Sequence, residues 1–223
     1  GRTGALTPIA LLEPTLLAGT TVARASLHNE DEIKRLDLKI GDHVLIEKSG
    51  AIIPQVLQNI PSKRNGSEKK FVFPNKCPVC KFDAVRPEGE AVRRCTNPDC
   101  PAKIKGRIGY YASRRAMDIE GLGGVLIDTI VDNGMVKDVA DLYKISTAQI
   151  ANLERKGEKS AAKLIEQIEA SKTRGLQRLL YGIDIRHVGE RYAKILANNF
   201  RKLDKLAAAS VEELDDIPEI GLA

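Results

Sequence analysis

The chain has 223 residues, enough for one large domain or two to three small ones, and its 35 Lys or Arg against 30 Asp or Glu leave it mildly basic. Trp is absent and aromatics make up 4%, so aliphatic side chains must fill the cores. No run approaches the ~20 apolar residues of a membrane span and no charged-then-apolar leader precedes a cleavage site, so no membrane partner is expected.

The first seventy residues read as β structure. Ile9 to Leu12, Thr20 to Leu27, Val44 to Glu47 and Ile52 to Leu57 are strand-like, rich in β-branched residues and bounded by Gly, Pro or Asp. One short helix interrupts them: Asn29 is its expected N-cap, Glu32 stands three residues on, and Ile33 and Leu36 form its buried side. A small barrel over 1–70 with one inserted helix follows, and an oligonucleotide-binding (OB) barrel is the expected kind.

Residues 71–104 hold every cysteine: Cys77-Pro-Val-Cys80, then fourteen residues, then Cys95-Thr-Asn-Pro-Asp-Cys100. Two close pairs at this separation can supply four thiolates to one tetrahedral zinc, each pair from a turn. Two disulfides are the competing reading, disfavoured because nothing marks secretion and a Cys-x-x-Cys loop is short for a structural bridge. Four thiolates close the coordination sphere, so the zinc is expected to be structural.

From 105 to the end the chain repeats. Gly123, Gly157, Gly189 and Gly221 are spaced by 34, 32 and 32 residues. An apolar residue stands four before each: Ile119, Leu153, Ile185 and Ile217. Ile127 and Ile130, Ala161 and Leu164, Ala193 and Leu196 follow four and seven after the first three, one stripe of a helix starting just past the glycine. Each unit predicts helix, tight turn, helix, with the fourth cut short. Such a turn leaves backbone N–H groups free at the start of the second helix, which suits phosphate, and glycine brings no Cβ between them. Arg155 and Lys156 lie within the second turn, and Arg186 and Arg191 flank the third. A plain helix-ending turn is the alternative for any one of these glycines. Charge supports the phosphate reading: residues 76–115 hold ten Lys or Arg against four acids, while the rest of the chain is nearly balanced.

The fold class expected is therefore multidomain: a small OB-fold β-barrel, a four-cysteine zinc module and an all-α tandem helix-hairpin-helix domain. Gly1-Arg2-Thr3-Gly4-Ala5-Leu6-Thr7-Pro8, Ala18-Gly19-Thr20-Thr21-Val22, Ala25-Ser26-Leu27-His28-Asn29, Ile40-Gly41-Asp42 and Lys48-Ser49-Gly50-Ala51-Ile52-Ile53-Pro54 closely resemble the barrel of bacterial NAD-dependent DNA ligases. Asn97-Pro98-Asp99-Cys100-Pro101-Ala102 resembles the end of that family's zinc finger, and the whole chain follows the family's order of modules.

The resemblance implies that a complete protein seals nicks in duplex DNA in replication and repair, in the bacterial cytoplasm, using NAD and magnesium. It implies nicked double-stranded DNA as partner, and a monomer. Arg2, Thr3 and Lys48 become expected backbone contacts, while Ile52 and Ile53 would press on the groove or, equally, be ordinary core residues. Arg155 and the hairpin glycines Gly123, Gly157, Gly189 and Gly221 complete the expected contact set. The zinc module is expected to act as a rigid spacer, with Arg93 and Arg94 as further contacts to be tested. The family's nucleotidyl lysine lies in a Lys-x-Asp-Gly motif that occurs nowhere in this sequence. The chain therefore reads as a fragment that does not adenylate itself. The alternative is a non-catalytic junction or repair scaffold. An RNA-binding module is disfavoured by the lack of an aromatic stacking platform.

Overall fold

The computed structural model describes residues 1–17, 19–49, 53–153 and 157–220. It divides into two compact units, one of residues 1 and 3–100, the other of residue 2 and 101–223.

In the first unit, β1 (Ile9–Leu17), β2 (Thr20–Ser26), β4 (Val44–Ser49) and β5 (Ile53–Asn59) form a sheet of order β1-β2-β5-β4. Two antiparallel pairs, β1/β2 and β4/β5, are joined by a parallel contact where Ser26 faces Gln55. The sheet curls around Ala25, Leu36 and Val56, with Leu12, Leu27, Val44 and Ile46 packed on them. Between the two pairs runs α1 (Glu30–Arg35), followed by β3 (Lys39–Ile40), which pairs with β6 (Lys69–Lys70).

The expected helix cap is present. Asn29 Oδ1 accepts the Glu32 backbone N–H at 2.9 Å, and Ile33 and Leu36 are buried. β1 runs past the expected stop at Leu12. Its register shifts between Leu11, opposite Arg24, and Thr15, opposite Val22, so Pro14 falls in a bulge on an edge strand where no ladder N–H is demanded. The strands β3 and β6 were not expected, because two-residue strands carry no periodicity. A second small ribbon, β7 (Ala84–Val85) with β8 (Arg94–Cys95), forms the zinc module.

The second unit is helical: α2 (Pro101–Ala112), α3 (Gly124–Asp132), α4 (Thr147–Ala151), α5 (Glu158–Ser171), α6 (Leu176–Gly182), α7 (Glu190–Phe200), α8 (Leu203–Ala207) and α9 (Val211–Asp215). Pro101 opens α2, where its missing N–H removes no intrahelical bond. All six stripe residues expected after the glycines are buried: Ile127, Ile130, Ala161, Leu164, Ala193 and Leu196. The hairpins do not share one core. Ile119, Ile127, Ile150 and Leu164 of the first two belong to one cluster, and Ala193, Leu196 and Ile217 of the last two to another. The four hairpins are thus two pairs in succession. Ile185, expected as the third hairpin's apolar anchor, is 43% exposed, its place in the core taken by Leu180 of α6. Among the described residues, no helix is long and apolar enough to cross a membrane.

Candidate metal centre and nucleic-acid interface

The four cysteines converge as their spacing requires. Their Sγ atoms lie within 4.8 Å of one another, with Cys77 to Cys100 at 3.9 Å and Cys80 to Cys95 at 3.4 Å. Both distances exceed a disulfide bond, and all four thiols are free. Around a tetrahedral zinc with bonds of about 2.3 Å, sulfurs stand about 3.8 Å apart, so the cluster fits that ion. A turn places the first pair, where Lys81 N–H donates to the Cys77 carbonyl at 3.0 Å, and β8 carries Cys95. Burial pushes the Cys95 thiol up, as does its hydrogen bond to Cys80. Burial opposes ionisation of Cys80 too, but the Phe82 backbone N–H and the neighbouring thiols outweigh it and draw that thiol down to about 6.

The module is bound into the first unit by backbone and guanidinium. Leu6 N–H donates to the Arg93 carbonyl and Cys95 N–H to the Gly4 carbonyl, both at 2.9 Å. Arg93 reaches Asn75 at 3.0 Å, the Ala84 carbonyl at 3.1 Å and Glu30 at 3.3 Å. Arg94 donates to Thr3 Oγ1 at 3.2 Å and to Glu90 at 3.0 Å. These arginines bind their own unit.

The expected contacts fall as follows. Thr3 carries its hydroxyl against Arg94, and Lys48, on β4, donates to Thr20 Oγ1. Arg2 belongs to the helical unit: its guanidinium pairs with Asp184 and lies 3.9 Å over the Tyr110 ring. Gly106 admits it, since a Cβ there would stand 2.8 Å from the Arg2 Cα. Ile52, Arg155 and Gly221 lie outside the described residues, and Ile53 is placed only as the backbone partner of Ser49 at the start of β5.

Gly123, Gly157 and Gly189 are the N-caps of α3, α5 and α7 rather than C-terminal stops of the preceding helices. Their φ angles of −84°, −98° and −79° are extended backbone that any residue adopts, and a Cβ at each would meet nothing within 4 Å. Neither conformation nor packing among the described residues demands glycine. None of these three helices has a side-chain cap. By contrast α1, α4 and α9 are capped by Asn29, Ser146 and Ser210, the last two with complete capping boxes. The left-handed residue of each described turn lies two positions earlier: Gly121 at φ 90°, His187 at 67° and Glu219 at 75°. Sequence reasoning missed this position because glycine fills it only in the first hairpin. Among the flanking arginines, Arg191 pairs with Glu219 across the second hairpin pair.

Modules in this order define a protein built from an OB barrel, a four-cysteine zinc finger and paired helix-hairpin-helix units. The NAD-dependent DNA ligase OB-fold domain matches residues 1–68, and the NAD-dependent DNA ligase C4 zinc finger domain residues 76–102. A SAM-like helix-hairpin-helix tandem matches 113–170 and a helix-hairpin-helix motif 178–223, the same two pairs that the cores separate. The DNA ligase of Carboxydothermus hydrogenoformans is 52% identical over 221 residues, covering 99% of this chain and 33% of the relative. That of Pelotomaculum thermopropionicum is 54% identical over 221 residues, 99% of this chain and 32% of the relative. The chain belongs to the NAD-dependent DNA ligase family, and it spans about a third of the length of these relatives.

Proposed function

We propose that this chain is the DNA-holding part of an NAD-dependent ligase that seals nicks in duplex DNA, in replication and repair. One observation carries the reading: the second helices of three successive hairpins, α3, α5 and α7, present bare N-terminal N–H groups behind a glycine that the described fold does not need. Each offers backbone donors and the positive end of a helix dipole to a phosphate oxygen, with no Cβ in the way. Gly123, Gly157 and Gly189 are the main contacts, joined by Gly221 and Arg155 in the same set of turns. On the barrel, Thr3 and Lys48 are the contacts to the sugar–phosphate backbone, and Ile52 and Ile53 those to the groove. Arg2 already has Asp184 as counter-ion, so its contribution is the smallest of the set.

The zinc ion is structural: it fixes the β7/β8 ribbon and supplies no chemistry to the substrate. NAD, magnesium and the lysine that accepts adenylate act outside these residues, since no Lys-x-Asp-Gly occurs in the sequence. The protein works in the bacterial cytoplasm as a monomer. The decisive experiment is binding of the zinc-loaded chain to nicked duplex across a salt series. Backbone recognition predicts indifference to sequence and a steep fall of affinity with salt. A strong consensus from sequence selection, or tighter binding to four-way junctions than to nicked duplex, would overturn the reading. Incubation with NAD and magnesium should leave the chain without covalent AMP.

A further inference from the structure

The helical unit carries a second basic feature that the hairpin turns do not use. An open cleft of about 800 Å³ is lined by Arg114, Arg115, Arg174 and Arg178, with Gly175 and Glu190 at its edges. We propose that this cleft is a guanidinium-built phosphate site that seats the backbone of the same duplex beside the third hairpin. The proposal rests on the DNA-holding reading but on different residues and a different chemistry.

Four observations support it. Arg178 donates through Nε to the Ala116 carbonyl and through Nη2 to the Arg114 carbonyl, so it clamps the segment between α2 and α3. That clamp fixes the backbone from which Arg114 and Arg115 project. Both of those side chains are exposed, and neither has a hydrogen-bond or ion-pair partner among the described residues. Arg174 contacts Asp118 at 3.4 Å, while its Nε is buried with no hydrogen-bond partner. Four guanidinium charges thus face two carboxylates, Asp118 and Glu190, and the excess of two suits phosphodiester oxygens, which the planar fork meets bidentately. Finally, Glu190 directly follows Gly189, so the cleft adjoins the third hairpin's N-terminal donors. One strand could engage both.

The test compares three variants of the zinc-loaded chain on nicked duplex DNA across a salt series. Arg114→Gln with Arg115→Gln should lower affinity at least tenfold at low salt. It should also flatten the slope of log K against log salt by about 0.9 for each phosphate that is no longer neutralised, with unchanged thermal stability. Lys163→Gln with Lys194→Gln removes equal charge from other positions on the unit and should leave the slope near wild type. Gly157→Ser reports on the hairpins alone. An arginine double variant that keeps wild-type affinity and slope while Gly157→Ser loses binding overturns the cleft and leaves the hairpins standing. Equal flattening by the lysine pair also overturns it, since net charge would then explain the effect. Weaker binding by the arginine variant with Gly157→Ser unaffected supports the cleft and removes the hairpins instead.

Discussion

Arg86 lays its guanidinium fork on Asp31, with N–H···O distances of 2.7 and 2.5 Å, and so ties the zinc module to the first turn of α1. Glu30, the neighbouring residue, receives Arg93 at 3.3 Å and also pairs with Lys34 at 2.8 Å. Acidic residues in that turn suit the positive end of α1, and here they serve as well to anchor a second module. The zinc ribbon is therefore part of the barrel unit.

The two ties differ in weight. Asp31 is 49% exposed, so its pair with Arg86 is screened and weak. Arg93 and Glu30 are 20% and 18% exposed, and Arg93 also bonds Asn75 and the Ala84 carbonyl. Arg93→Met should destabilise the first unit by about 2 kcal/mol, and Arg86→Met by much less. Urea unfolding followed by barrel-unit hydrogen exchange checks this, and equal effects would remove Arg93 as the principal tie.

Asp42 supplies an acid-sensitive clamp. Its carboxylate, with the side chain 1% exposed, takes two hydrogen bonds from Arg64 at 2.6 and 2.8 Å and one from the Lys39 N–H at 2.7 Å. The Arg64 guanidinium holds the Asp42 carboxyl below the usual carboxylate range, against the opposing effect of burial. A carboxyl depressed in the folded state contributes stability above its unfolded pKa of about 3.9 and loses it as pH falls through the folded value. Asp42→Asn should therefore cost about 3 kcal/mol at neutral pH, leaving Arg64 poorly matched, and should flatten the acid limb of the stability curve. An acid limb as steep as wild type would show that Asp42 does not control it.

Much of this was legible in the sequence because the signals were periodic or chemical. The cap of α1 could be read from Asn29 and Glu32, the metal cluster from cysteine spacing, and the buried stripes from residues such as Ile130 and Leu164. What escaped had no local signal. The pairing of hairpins into two cores depends on long-range packing of Leu180 and Ile217, and the bulge at Pro14 on its edge position. The left-handed turn position hid because His187 and Glu219 fill it without glycine. The Arg114 to Arg178 cleft joins residues 64 apart through backbone carbonyls, which no side-chain pattern records.

Removing zinc should unfold the ribbon and spare the helices. Binding to such a four-thiolate site is worth roughly 10–16 kcal/mol at neutral pH, more than so small a ribbon gains from its own core. Chelation should abolish hydrogen-exchange protection across residues 76–100 while the helices from α3 to α7 keep theirs. A fall of helix protection in step with the ribbon would instead mean a single cooperative unit. Native mass spectrometry should find one zinc per chain, and none in Cys80→Ser.

The hairpin glycines allow function to be separated from fold. At an N-cap with extended φ, serine is a better residue than glycine by a few tenths of a kcal/mol, because its hydroxyl accepts a free helix N–H. Nothing among the described residues obstructs it, since a Cβ at Gly157 or Gly189 meets none of them within 4 Å. Gly157→Ser with Gly189→Ser should then leave the melting temperature unchanged or slightly raised. The same substitutions put a side chain where phosphate must approach and occupy one of the donors that would greet it. Affinity for nicked duplex should fall about tenfold per site or more, with a shallower salt dependence. A variant both more stable and fully competent in binding would reduce these glycines to replaceable helix starts, and the interface would have to be sought elsewhere on the unit.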